Sequence, residues 1–140
     1  MKKIFTIGTS RRSEEDFIEI LLFYDIKTVI DVRRFPRSKI PTFTQDYLKA
    51  LLQKEKIKYV FLGSELGGFR KGGYESYIVS GEFKRGIDKL EDCIENGSAV
   101  VICAEKFPWK CHRRWIAREL HRRGWQIEHI IDKGKLWVPK

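Results

Sequence analysis

Short apolar runs with the period of a strand alternate with longer runs of helical period along this chain, and that alternation limits the fold more than any other feature. KIFTIG (3–8) reads as a strand and SEEDFIEILLFYD (13–25) as a helix, with Phe17, Ile20, Leu21 and Tyr24 on one stripe. Ser13 followed by Asp16 matches a helix-capping signature. KTVIDV (27–32) is a second strand, and TQDYLKALLQKE (44–55) a second helix, capped by Thr44 with Tyr47, Leu48, Leu51 and Leu52 inward. IKYVFL (57–62) is a third strand, and a helix from about Glu82 to Asn96 carries Phe83, Ile87, Leu90 and Ile94 on one face before Gly97 stops it. SAVVIC (98–103), CHRRWIARELHRRG (111–124, stopping at Gly124) and WQIEHII (125–131) complete the pattern as strand, helix and strand, with LWVP a short tail. Strands separated by helices predict a mostly parallel sheet of about five strands, covered on both faces. The continuously apolar fourth strand belongs at its centre. The segment 63–81, with six glycines, is the one long irregular stretch, and a loop of that length in a compact domain is functional or mobile more often than not.

At 140 residues, with no repeat, low-complexity tract or linker, the chain reads as a single domain over 1–140. The longest apolar runs, such as AVVICA, are far too short to span a bilayer. MKKIFTIGTS has the lysines of a signal peptide, but Thr6 and Gly8 break its apolar run and RRSEED follows at once, so it reads as the first strand. Three cysteines without the spacing of a disulfide framework suit a reducing compartment, and the expected location is the cytoplasm. The net charge of +9 is a statement about partners: phosphate-bearing ligands, nucleotides or nucleic acid.

In a parallel sheet, ligands gather outside the carboxyl ends of the strands. The loops leaving strands one, two and four there are TSRRS (9–13), RRFPRSKIPTF (33–43) and EKFPWKCHRR (105–114). They hold Ser10, Arg11, Arg12, Arg33, Arg34, Arg37, Lys39, Lys106, Lys110, Arg113 and Arg114, and Glu105 is their only acid. Such an edge focuses anions. Phe35, Phe43, Phe107 and Trp109 are interleaved with the cations, which suits a stacked nucleobase as well as a lid over the core. Pro36, Pro41 and Pro108 stiffen the loops. Asp31, at the end of the second strand, either closes a buried ion pair or orients a ligand.

The segment VVICAEKFPWKCHRRWIAREL (100–120) concentrates the chemistry. If Ile116, Ala117 and Leu120 face inward, His112 and Arg113 head the same stripe, whereas Arg114, Arg118 and Arg122 lie on the wet side. Cys103, Glu105, Cys111, His112 and Arg113 are thus expected to line one small pocket at a helix N-terminus. Three chemistries are open. Cys103, Cys111 and His112 could ligate a metal, though C-x7-C-H is not a usual zinc spacing. Cys111, beside His and Arg at a helix N-terminus, could be a nucleophile. Both cysteines could also be small buried hydrophobes, as Cys93 on its helix is expected to be. The strand–Cys–loop–helix layout is similar to that of rhodaneses and thiol phosphatases, except that the bulky AEKFPWK replaces a small-residue loop.

The blocks TIGTS (6–10), DVRRFPRS (31–38), the Phe43 region, LGG (66–68), ICAE (102–105) and CHRRWIA (111–117) resemble the prokaryotic domain-of-unknown-function family 488 over nearly the whole chain. The resemblance implies an α/β, Rossmann-like or flavodoxin-like three-layer sandwich without an assigned activity. It marks Asp31, Arg33, Pro36, Ser38, Gly67, Gly68, Cys103, Glu105, Cys111, His112 and Arg113 as signature positions. The family commonly has TIGHS where this chain has Thr9, so a mechanism needing a histidine there does not carry over.

The resulting expectation is an enzyme, or enzyme-like protein, that binds a phosphate-containing ligand at the carboxyl edge of the sheet. Ser10, Arg11, Asp31, Arg33, Arg37, Ser38, Gly67, Gly68 and Arg113 would bind it, and Cys103, Glu105, Cys111 and His112 would supply the chemistry, with no cofactor or metal. The alternatives are a non-catalytic nucleic-acid-binding module and a thiol or redox protein in which Cys103 and Cys111 form a reversible disulfide.

Overall fold

The computed structural model describes residues 2–36, 43–94 and 98–139. Its elements are β1 (Lys3–Gly8), α1 (Glu14–Phe23), β2 (Ile26–Asp31), α2 (Gln45–Lys54), β3 (Lys58–Phe61), α3 (Gly63–Leu66), α4 (Tyr74–Tyr77), α5 (Gly81–Cys93), β4 (Ser98–Cys103), α6 (Arg113–Arg122), β5 (Gln126–Asp132) and β6 (Lys135–Trp137). A 3₁₀ turn at Pro108–Lys110 precedes α6.

The six strands form one sheet in the order β3-β2-β4-β1-β5-β6. The first five are mutually parallel and β6 returns antiparallel along β5. β4 is central, as its apolar run requires: after Ser98 every residue is buried. The order differs from the Rossmann order 3-2-1-4-5 and the flavodoxin order 2-1-3-4-5. Here the β1–α1–β2 crossover skips one position, and the strand with most to bury fills it.

Strand alternation sends successive side chains to opposite faces, and each face has its own apolar cluster. Phe17, Ile20 and Leu21 of α1 and Leu48 and Leu52 of α2 pack with Phe5, Ile7, Val29, Val100, Ile102 and Ile130. Phe83, Ile87 and Leu90 of α5 and Ile116, Ala117 and Leu120 of α6 pack with Ile4, Ile30, Ala99, Val101 and Ile127.

Several local expectations change. Tyr47 is 47% exposed, because Leu48, Leu51 and Leu52 already fill the inward stripe of α2; its hydroxyl donates to Glu14 Oε1 at 2.6 Å. Ser13 caps α1 through Asp16 N–H, and Ser80 does the same for α5 through Phe83 N–H. Thr44 sits at the N-cap of α2 in extended conformation but forms no side-chain cap bond. The tail is a sixth strand whose three residues are too few to show a period. Gly97, the expected stop of α5, lies outside the described residues. Gly124, past the end of α6, has φ +98°, as a left-handed helix stop requires.

The glycine-rich segment is organised rather than loose. Arg70 donates from Nε to Gly67 O (2.9 Å) and from Nη2 to Ser64 O (2.6 Å), and its guanidinium lies 4.0 Å from the Tyr77 ring centre. Tyr74 donates its hydroxyl to Leu66 O at 2.7 Å. These bonds tie the segment that carries α4 to α3, which packs on α5, and Arg34 reaches from beyond the end of β2 to the Phe69 carbonyl.

Candidate functional site

β2 and β4 are neighbours, but the chain leaves β2 for α2 on one face and β4 for α6 on the other. That divergence opens a crevice between the two exits. A cleft of about 340 Å³ lies there, lined by Arg33, Arg34 and Phe35 after β2, Gly68, Phe69 and Tyr74 after α3, and Ala104, Glu105, Lys110, Cys111 and His112 after β4. A second depression of similar size, about 330 Å³, is lined mainly by Trp125, Ile127, Val138 and Pro139 with His121 and Gln126 at its side, and carries no converging chemistry.

His112 is fixed from both ends. Its Nε2 lies 3.0 Å from the Val32 carbonyl oxygen, which can only accept, so Nε2 carries a proton. Nδ1 then faces Cys111 Sγ at 3.6 Å, as acceptor from a thiol or, once protonated, as donor to a thiolate. The Tyr74 ring packs on the imidazole, centres 5.2 Å apart. Gly68 completes the wall: a Cβ there would sit 3.3 Å from Nδ1 and crowd it.

Cys111 is 9% exposed at the floor of the cleft. Its thiol is held well below its ordinary value by the Cys103 thiol turned toward it, by His112, and by the Arg113 backbone N–H, which together outweigh burial. Cys103, fully buried beneath, is pushed in the opposite direction by burial and then by the neighbouring Cys111 charge. The two thiols therefore divide the roles, Cys111 ionising first and Cys103 keeping its proton.

Arg113 has no exposed surface. Nη1 donates to Cys103 Sγ (3.4 Å) and Nη2 to Lys106 O (2.8 Å), while Nε has no hydrogen-bond partner among the described residues. Among the described residues it forms no ion pair with a carboxylate. A buried cation without a carboxylate favours negative charge close by, and the sulfurs are what it faces. Its charge also helps hold His129 neutral: burial first, then Arg113, pushes that imidazole down to about 3.

The expected pocket is thus split into two levels. Glu105, Cys111 and His112 line the cleft, whereas Cys103 and Arg113 lie under its floor. Arg33 reaches the cleft wall, but its Nε and Nη2 are on Asp31 (2.9 and 2.8 Å) and its Nη1 on Phe43 O (2.6 Å). Burial works against its charge, yet Asp31 more than compensates and raises its pKa. Asp31 is fully buried and also accepts from Tyr59 (2.6 Å). Arg12 is buried as well, donating to Gly8 O and Ile131 O (2.6 Å each) and pairing with Asp132 at 3.2 Å. Ser10 and Arg11 are exposed but do not line the cleft. Gly67 is buried, with its N–H on Gly63 O (2.9 Å), and adjoins the wall without lining it. Arg37, Ser38, Lys39 and Pro41 lie outside the described residues.

The cations that do face the cleft are Lys110 and Arg34, the latter tied by Nη1 to Phe69 O at 2.7 Å. Phe69 is 84% exposed with φ +60°, an uncommon conformation for a bulky residue, and its ring meets that of Phe35 with centres 6.1 Å apart. Phe69 and Tyr74 line the cleft without being among the site residues expected from the sequence. Their signal was the glycine-rich segment as a whole, which marks a special loop without saying which of its side chains turns to the site. Among the described residues no group of three or more His, Cys, Asp or Glu could hold a metal ion, and no helix is long and apolar enough to cross a membrane.

Comparison with known families matches residues 13–120 to the model of a domain of unknown function, DUF488. None of the curated proteins matches the chain.

Proposed function

Since the chain belongs to the DUF488 family, whose match spans every residue of the cleft, its activity has to be read from that cleft, and we propose that it is a thiol-dependent enzyme with Cys111 as nucleophile. The observation that carries this reading is the orientation of His112: with Nε2 on the Val32 carbonyl, only Nδ1 is available to Cys111. A nucleophile, a base in reach and a third group orienting the base form the general pattern of covalent catalysis.

The steps follow from the groups present. His112 Nδ1 takes the Cys111 proton, and the thiolate is held by the Arg113 N–H at the start of α6. The thiolate attacks an electrophilic atom of a small ligand in the cleft. The imidazolium or Glu105 returns a proton to the leaving group. Arg34 and Lys110 at the mouth favour a ligand bearing negative charge, a phosphate-containing one such as a nucleotide among them. The helices on both faces support a three-layer frame, with the proposed chemistry in the crevice between the exits of β2 and β4.

Iodoacetamide labelling across pH tests the reading. A low-pKa thiolate is intrinsically less nucleophilic, but that penalty is constant, whereas a free thiol loses about tenfold in thiolate per pH unit below its pKa. The ratio of the Cys111 rate to that of free cysteine therefore rises about tenfold per unit as pH falls from 8 to 6. A ratio that stays flat overturns the proposal.

The exposed Phe35 and Phe69 rings beside Arg34 favour a second reading, a nucleic-acid-binding module that stacks bases on the rim. It predicts oligonucleotide affinity that falls steeply with salt and survives Cys111→Ser.

A further inference from the structure

A nucleophilic Cys111 explains its own surroundings but not those of Cys103. That residue sits at the end of β4 with no exposed surface, in the same buried cluster as Cys111, with its thiol 3.8 Å from the Glu105 carbonyl oxygen, and it accepts the hydrogen bond of Arg113 Nη1 at 3.4 Å. Arg113 thus bears on both thiols: its guanidinium donates to Cys103 Sγ, and its backbone N–H, at the start of α6, favours a charged Cys111. A guanidinium with no exposed surface and, among the described residues, no carboxylate and no partner for Nε is an unusual thing to place on a thiol that merely packs. It fits a thiol that has to lose its proton at some stage.

We propose that Cys111 is a site of reversible oxidation by hydroperoxides and that Cys103 is its resolving thiol, closing a Cys103–Cys111 disulfide beneath the cleft. The inference rests on the same nucleophile as the proposed function. In the first step the Cys111 thiolate attacks the terminal oxygen of a hydroperoxide. An S–O bond forms, the O–O bond breaks, and the leaving alkoxide takes the proton from His112 to depart as an alcohol, or as water from hydrogen peroxide. In the second step the Cys103 sulfur attacks the sulfur of the Cys111 sulfenic acid. An S–S bond forms, the S–O bond breaks, and the hydroxide leaves as water with the Cys103 proton, while Arg113 stabilises the sulfur that gives it up. Two thiols have supplied two electrons to one peroxide. An external dithiol reverses the change by exchange at the exposed side of Cys111.

The test treats the full chain with dilute hydrogen peroxide, followed by intact mass and peptide mapping, with dimedone to trap sulfenic acid. The wild type is expected to lose two hydrogens, show a single cross-linked peptide pair joining residues 103 and 111, and recover fully with dithiothreitol. Cys103→Ser and Cys103→Ala, checked for native circular dichroism, are expected to trap the dimedone adduct on Cys111, and Cys111→Ser to leave Cys103 reduced. Cys93, half-buried on α5, serves as the internal comparison. A wild type that accumulates dimedone adduct or sulfinic acid on Cys111 without the 103–111 link overturns the inference, as does a link to Cys93. In that outcome rapid alkylation of Cys111 still upholds the nucleophile. If alkylation fails as well, the proposed function fails with it.

Discussion

At the scale of single residues, the decisive fact is which charges the fold keeps for itself. His112 and Arg113 are adjacent, yet one opens to the cleft and the other is sealed under it. His112→Gln keeps an amide near the Val32 carbonyl but removes the ring nitrogen facing Cys111. Loss of one pKa unit of assistance moves the midpoint of the Cys111 alkylation profile from about 4 up by about one pH unit, so the rate at pH 4 falls about fivefold while that at pH 6 barely changes; an unmoved profile shows that the pair is not coupled. The Asp31–Arg33 pair makes the opposite prediction, in stability. Asp31→Asn leaves Arg33 buried without its counter-charge, at a cost of about 3–5 kcal/mol, read as a lower urea midpoint with an unchanged slope. The sequence reveals that Arg33 and Arg113 lie at the carboxyl edge but not that they point into protein. Sequence position places a side chain at a loop, and only the partners, Asp31 with the Phe43 carbonyl and Cys103 with the Lys106 carbonyl, decide where its charge ends.

Among the elements, the long amphipathic helices and apolar strands are legible because period and caps agree along them: Ser13, the Phe17–Leu21 stripe and β4 fall where pattern alone puts them. The one-turn helices α3 and α4 are not legible, since four residues hold barely one turn and their order comes from Arg70 and Tyr74, which bond to distant carbonyls. Gly86 exposes the same limit. Inside α5, alanine for glycine ordinarily stabilises by about 0.5–1 kcal/mol. Here the new Cβ would lie 2.7 Å from Leu66 Cδ2 and 2.9 Å from Glu65 Cβ. Leu66 is fully buried and Glu65 Cβ is next to backbone, so neither can yield. Overpacking of about 1–3 kcal/mol outweighs the helical gain, and Gly86→Ala is expected to lower the melting temperature. A variant more stable than wild type contradicts the close α3–α5 approach.

For the whole molecule, strand order and acid stability are linked through one buried histidine. Periodicity identifies the strands but is blind to their order, because any parallel neighbour satisfies a strand buried on both faces. In the order adopted, β1 lies between β4 and β5, so Thr6 of β1 meets His129 of β5, its hydroxyl 2.5 Å from Nδ1, while Arg113 from α6 bears on the same imidazole. The indole of Trp137, from β6, stacks on that ring with centres 5.4 Å apart. His129 is therefore neutral in the fold, pushed down to about 3, but titrates near 6.5 once unfolded. Between those values the unfolded chain binds the extra proton, so stability rises with pH in this window and is lost as pH falls below about 6.5. The slope approaches about 1.4 kcal/mol per pH unit at most. The chain already carries a net charge of +9, and further protonation adds repulsion in the same direction. Urea unfolding at pH 7, 6 and 5 separates the two contributions. His129→Asn removes the titrating ring and keeps the general charge, so its stability is expected to be lower at pH 7 but to fall less steeply toward pH 5 than that of the wild type. Parallel slopes assign the acid sensitivity to net charge alone and remove the link between this strand order and the titration.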